Sequence, residues 1–433
     1  MKKIINISTL FAFSLFALIF MAACNDNSSS EEVTLRVTWW GNTTRDQLYQ
    51  GIIDLFVEEN PHITVVTESP GWGDYWTAIT SAFGARTAPD VVQFQSGRIG
   101  EFSGLNVLTP LDSFVDSSVI NLEDWHSDLV DSGRIGDNLY FISVGTTAQT
   151  VFVNETYLNE LGFELWPKDQ DITWEEFGIF LNNVQQAVPV GSFVLDDIAQ
   201  NNDLIWIWIR QNTPAGVEWV DVDGNFAPSE EALIHWFTYV NNLRRDGVIA
   251  PIDLTHEWEQ MAWQEGPFVN RQTLFRFANA NQIMSFQNAT DDHLAIRKVP
   301  IAPEAYNAHG DLLISSGFAI PNTSTQQELA AKFIDFFVNT LEGQQIFDFE
   351  MGVPGSLAIQ DALIPTTAEG NVRQAEYISL VSQNVLPFVP QEPGVSSVVN
   401  EMVRVADHVA SGMMSPEEAA RLIIELAEDL IRQ

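Results

Sequence analysis

The sequence predicts an α/β chain folded as two lobes, and three observations lead there. At 433 residues the chain is longer than one hydrophobic core sustains. Hydrophobic residues make up 45% and charged ones 18%, the balance of a globular protein and not of a disordered one. The amino-terminal third alternates short apolar runs with helical patterns, the strand–helix–strand rhythm of a parallel, doubly wound sheet.

The first 32 residues are set apart from that pattern. Lys2 and Lys3 precede an apolar run from Ile4 to Phe20, and Met21-Ala22-Ala23 leads into Cys24. Residues 1–23 are predicted to be a secretory signal. Cys24 is the one cysteine of the chain, so no intramolecular disulfide and no cysteine-based metal site can form. Met-Ala-Ala-Cys resembles the bacterial lipobox, which implies a lipid on Cys24 and a new amino terminus there. Residues 24–32, rich in Ser, Asn and acid, read as a flexible tether. No later stretch has the ~20 apolar residues of a membrane span. The mature protein is expected outside the cytoplasm, held on the cell membrane by lipid alone.

The net charge of −38 comes from 20 Lys+Arg against 58 Asp+Glu. That excludes a nucleic-acid partner, whose phosphates need cations, and adhesion to anionic lipid. The acids are scattered along the chain, as on a hydrated surface suited to a salty medium. Attraction of a cationic ligand is the other reading of the charge.

Val33, Leu35 and Val37 alternate with Thr34, Arg36 and Thr38, the period of a strand, which ends at Trp39-Trp40-Gly41-Asn42. Thr43 or Thr44 is predicted to cap a helix through Leu48, Ile52, Leu55 and Phe56, stopped by Pro61. Ile63–Val66 is a second strand. Pro70 to Trp76 reads as an aromatic-rich turn before a helix through Ile79 and Phe83, and Val91–Gln95 as a third strand ending at Gln95 and Ser96. In open α/β sheets ligands sit at such carboxyl ends. Asn138–Gly145 and Val151–Val153 read as two strands separated by Thr146-Thr147. Thr173 with Glu176 forms a capping box. Asp221 to Asn225 is a hairpin turn and not a calcium loop, because its glycine is misplaced for an EF-hand. Ser229 opens a helix closed by Asp246-Gly247, and helices dominate from Gln326 onwards.

Several segments, in this order, carry a resemblance. They are Cys24 in its lipobox, the strand ending Trp39-Trp40-Gly41, Asn60-Pro61-His62-Ile63, Ala88-Pro89-Asp90-Val91-Val92, Asn138-Leu139-Tyr140 and Thr173-Trp174-Glu175-Glu176. Gly317-Phe318-Ala319-Ile320-Pro321, Ala330-Ala331-Lys332-Phe333 and Gly352-Val353-Pro354 complete the set. The chain resembles the extracellular solute-binding proteins of bacterial ABC importers, in the carbohydrate-binding group that includes maltose-binding protein. The resemblance implies a two-lobed periplasmic-binding-protein fold, each lobe a doubly wound sheet flanked by helices, joined by hinge segments. Residues 33–145 and 293–351 would form one lobe and residues 146–292 and 352–433 the other, with crossings near 145–151, 288–294 and 352–355. It also implies a carbohydrate, an oligosaccharide, captured between the lobes and passed to ABC permease subunits by a monomer. Neither cofactor, metal nor catalytic residue is implied.

Sugars offer flat C–H patches to aromatic faces and hydroxyls to amides, carboxylates and guanidinium groups. The expected contacts are therefore Trp39, Trp40, Trp72, Trp76, Trp206 and Trp258, with Phe286 in the segment that matches where the family often carries a glycine and a tryptophan, though without that tryptophan. The polar set is Asn42, Gln95, Ser96, Thr146, Gln287, Asn288 and Ser316. Arg98 or Arg210 offers a fork for a carboxylate or phosphate on the solute, unless local acids pair with it. A secreted glycoside hydrolase with two carboxylates, or a binder of a non-sugar solute, are the competing functions.

Overall fold

The computed structural model describes residues 32–214, 216–302, 309–383, 391–392 and 394–431. The signal, the tether and Cys24 lie outside the described residues. The fold is α/β in two lobes, built around one seven-stranded sheet path.

The first lobe follows the expected rhythm. Strand β1 (Val33–Thr38) is followed by helix α1 (Thr43–Glu59), β2 (Ile63–Glu68), α2 (Trp72–Gly84), β3 (Val91–Gln95) and α3 (Ser96–Gly104). β1 pairs parallel with both β2 and β3. Leu35 and Val37 face a core containing Tyr49, Ile52, Phe94, Phe318, Phe333 and Phe337.

Two local expectations shift. The cap of α1 is Asn42 and neither threonine: its side-chain oxygen accepts from the Arg45 N–H at 3.1 Å. Trp72 and Trp76 lie inside α2 and not in a turn. Four residues apart, they share a helix face.

Strand β4 (Ile142–Asn154) is a single 13-residue strand, where the sequence suggested two. Every one of its residues is buried. Its first half, Ile142 to Ala148, pairs antiparallel with β7 (Leu313–Ala319) across a bulge between Ser143 and Gly145. Its second half pairs antiparallel with β5 (Phe275–Asn279) on one side and β6 (Leu294–Arg297) on the other. Thr146 and Thr147 read as a break because they are polar. Their hydroxyls are satisfied inside: Thr146 Oγ1 lies 2.9 Å from Ser315 Oγ, and Thr147 Oγ1 accepts from the Asn281 N–H at 3.2 Å.

The second lobe surrounds the distal half of β4. Helices α4 (Trp174–Gln185), α5 (Asn202–Asn212), α6 (Glu230–Arg245), α10 (Val395–Ala410) and α11 (Pro416–Ile431) pack into its core. The short α7 (Ile283–Gln287) and α9 (Glu369–Val381) close a third apolar cluster, and α8 (Gln327–Asn339) belongs to the first lobe. The capping box at Thr173 forms as expected, and so does the Ser229 cap of α6. Asp221 accepts from the Gly224 N–H at 3.0 Å in a turn closed by the Val220–Phe226 bridge, with Gly224 at φ +81°. Ala295, Val299, Leu312 and Ile314 sit in this second core. A third chain segment touches the junction where Thr146 and Val353 exchange backbone hydrogen bonds of 2.9 and 2.8 Å.

Candidate functional site

A cleft of about 360 Å³ opens between the lobes. From the first lobe, α2 contributes Trp72, Trp76 and Thr77, the end of β3 contributes Gln95, and the first turn of α3 contributes Gly97 and Arg98. From the second, the start of α5 contributes Asn202, Asp203 and Trp206, and the start of α10 contributes Ser396 and Asn400. The first turns of four helices, α2, α3, α5 and α10, and one strand end thus face one space, and a helix start presents free N–H groups to whatever enters.

The aromatic wall is built in depth. Trp40 is 6% exposed and packs edge-on to Trp72 at 5.1 Å and tilted to Trp76 at 5.7 Å. It therefore backs the wall, while Trp72, 49% exposed, fronts it. The Arg98 guanidinium lies 4.4 Å over the Trp76 ring, a cation–π stack. Its carboxylate partner Glu101 is 3.8 Å away, beyond hydrogen-bond reach. Burial pulls the Arg98 pKa below its ordinary value, only partly opposed by Glu101.

Trp206 forms the opposite wall. It is buried, and its indole N–H donates to the Glu218 carboxylate. Glu218 in turn lies 3.2 Å from the Arg210 guanidinium. The Trp206 ring crosses the lobe boundary: a Cβ at Gly97 would stand 2.9 Å from its Cζ3, so only glycine lets the lobes meet this closely there. Asp203 accepts from the Asn279 amide at 3.0 Å, and burial raises its pKa despite that bond.

Of the expected contacts, Trp72, Trp76, Gln95 and Trp206 meet in this cleft, with Trp40 behind them. The remainder lie elsewhere. Trp39 is core: it stacks on Tyr49 at 4.4 Å and donates to Asp46 at 2.9 Å. Asn42 caps α1. Ser96 Oγ accepts from the Ser315 N–H at 3.2 Å and Thr146 bonds Ser315, so both belong to the buried web under the cleft. Ser316 is a buried β7 residue opposite Gln95. Trp258 and Phe286 line a separate cavity of about 500 Å³ in the second lobe, where Arg276 lies 5.1 Å over the Phe286 ring. Gln287 donates to the Asp292 carbonyl at 2.7 Å, and Asn288 is exposed at the end of α7; neither lines either cavity. Arg210 is 1% exposed and is held behind the wall by Glu218, so Arg98 alone of the two arginines reaches the cleft.

The sequence reading missed Asn202, Asp203, Ser396 and Asn400. The polar run Gln200-Asn201-Asn202-Asp203 before an apolar helix was the signal for the first pair. Ser396 and Asn400 are four apart at the start of α10, behind Gly394 with φ +87°, a helix-start pattern that says nothing of the partner it faces.

Behind Trp206, Asp311 approaches the same buried charges. Burial raises its carboxyl to about 7, opposed by Lys298 and Arg210 and reinforced by Asp171. A carboxyl whose pKa is raised on folding stabilises fully below its unfolded value and loses that contribution as pH rises through about 7. Asp311→Asn should therefore flatten the fall in stability between about pH 4 and 7, read as urea midpoints across that range. An unchanged slope would rule this carboxyl out as the source.

A family model described as bacterial extracellular solute-binding protein matches residues 40–340. Solved structures share the fold at low identity. A periplasmic solute-binding protein of Pectobacterium atrosepticum is 19% identical with a TM-score of 0.81, covering 92% of this chain and 99% of its own. A periplasmic oligogalacturonide-binding protein of Yersinia enterocolitica, solved with digalacturonic acid, is 20% identical with a TM-score of 0.80, covering 93% and 99%. A substrate-binding protein of Listeria monocytogenes, solved with cycloalternan, is 16% identical with a TM-score of 0.77, covering 92% and 99%. With a cleft between two lobes and the family model spanning most of the chain, this protein belongs to the bacterial extracellular solute-binding proteins.

Proposed function

We propose that the protein captures an extracellular oligosaccharide between its lobes and delivers it unchanged to an ABC-type permease. The supporting observation is the composition of the cleft: indole faces from both lobes, Trp72 and Trp76 against Trp206, with Gln95, Asn202, Asn400 and Arg98 beside them. Apolar faces take the C–H patches of a pyranose, and amides and the guanidinium take its hydroxyls. Relatives of the same fold bind digalacturonic acid and cycloalternan. Asp203 is the one carboxylate among the described lining residues, and it is bonded to Asn279, whereas hydrolysis by the usual route needs two. Arg98, with Glu101 held at 3.8 Å, favours a sugar that itself carries a carboxylate.

The lobes divide, in this reading, with residues 33–145 and about 316–351 on one side and residues 148–312 and 354–431 on the other. The return crossing runs through β7 and not near residue 293, because β6 and Leu312 pack with the second core. Closure is a hinge motion in which the solute bridges both walls. Cys24 carries the lipid that holds the protein, a monomer, at the membrane.

The test is thermal unfolding and calorimetry against a panel of gluco-, galacto- and galacturono-oligosaccharides, with the sugar recovered and sized afterwards. One member should raise the melting temperature in proportion to ln(1 + [L]/Kd) and come back intact. A sugar returned cleaved would replace the transport reading with hydrolysis; no shift with any member would exclude these sugars as its solute.

A further inference from the structure

A second cavity, of about 400 Å³, lies on the second lobe away from the cleft, between β6, α9 and the start of the helix Glu155–Glu160. Its charges are sorted by depth. At the rim, Lys168 and Glu376 are more than half exposed and pair with each other at 2.6 Å, and Asp169 is exposed. Inside, two guanidinium groups, Arg297 and Arg373, are only 12% and 18% exposed.

Among the described residues, neither inner arginine has a carboxylate within hydrogen-bond reach. Arg297 donates to the carbonyls of Trp166 and Ile296 at 2.6 and 2.8 Å, and Glu155 stands 3.8 Å away. Arg373 touches the His293 ring at 3.0 Å and Gln287 at 3.2 Å, with Glu369 at 4.0 Å. Its Nε is buried and has no hydrogen-bond partner among the described residues. Among the described residues the nearest carboxylates, Glu155 and Glu369, stop at 3.8 Å from Arg297 and 4.0 Å from Arg373. Glu155, the one inner carboxylate among the described lining residues, stands 3.8 Å from Arg297 and 3.5 Å from His293 and also acts on Arg373. Burial lowers the pKa of both guanidinium groups, so each is a desolvated cation without full compensation. The other wall is apolar: Ala295, Ile296, Leu380 and the ring of Tyr377, whose hydroxyl is already bonded to the Gln149 carbonyl at 2.6 Å.

We propose that this cavity is a second ligand site, for a small organic carboxylate with an apolar body. The carboxylate takes the fork of Arg373 and the free edge of Arg297, and the body lies along Ile296, Leu380 and Tyr377. The site shares no lining residue with the interlobe cleft, so it stands or falls apart from the sugar reading.

Three probes test it on the folded full-length chain. Phenylacetate has both parts, acetate lacks the body, and phenethylamine keeps the body with the opposite charge. Phenylacetate at tenfold excess over its Kd should raise the melting temperature by about 2 °C and give a saturable calorimetric isotherm. Acetate and phenethylamine at the same concentration should do neither. Arg373→Gln should remove the phenylacetate response, and Leu380→Glu, which changes the wall and no arginine, should remove it too. Circular dichroism must match the parent for both variants. No response to phenylacetate, an equal response to phenethylamine, or a response that survives in both folded variants would overturn the proposal.

Discussion

Glu218→Ala is expected to destabilise the second lobe by about 3–5 kcal/mol, because it removes the adjacent carboxylate from a desolvated guanidinium. Glu218 and Arg210 are 6% and 1% exposed and lie 3.2 Å apart. Burial pushes the Glu218 carboxyl up and the Arg210 guanidinium down even with the partner adjacent. Desolvation therefore outweighs attraction for each, and the pair is not a net source of stability. What it supplies is an acceptor that fixes the Trp206 indole. Removing both charges, as Glu218→Met with Arg210→Met, should recover most of the loss. Urea midpoints at unchanged slope are the measurement. A single-variant loss within about 0.5 kcal/mol would place this pair among ordinary surface contacts.

The second large effect is on binding. Trp76→Ala should weaken the captured sugar by about 2 kcal/mol, about 30-fold in Kd, since it removes a stacking face together with the support under Arg98. Trp206→Ala should cost a similar factor from the other lobe if one solute bridges both walls. Trp39→Phe supplies the contrast: Trp39 stacks on Tyr49 inside the first core, so affinity should hold within about twofold while stability falls. Calorimetry on folded variants separates the cases. Equal weakening by Trp39→Phe and Trp76→Ala would mean that both act through the fold and neither touches the solute.

The first lobe was legible because its signals are local. Alternation in Val33–Thr38, the stop at Pro61 and the buried run at Val91 each need only their own neighbours. The cap moved one residue, from Thr43 to Asn42, within the usual latitude of helix starts. The long strand was misread because Thr146, Thr147 and Gln149 are polar yet buried, and their partners Ser315 and Asn281 lie far along the chain. The cleft was half legible for the same reason. Aromatic residues near a strand end announce themselves, and Trp72, Trp76 and Trp206 did converge. Nothing local tells Ser396 and Asn400 which surface they will oppose, or tells Gln287 that it will turn to the Asp292 carbonyl.

β4 has a consequence for how the chain is made. It is a structural member of both halves, and its first-half neighbour β7 is encoded more than 150 residues later. Until that segment is in place, β3 and the first half of β4 have open hydrogen-bonding edges that β7 closes. Such distant pairing folds slowly and leaves sticky intermediates. The sheet of the amino-terminal half is therefore not complete until β7, nearly three-quarters of the way along the chain, is in place.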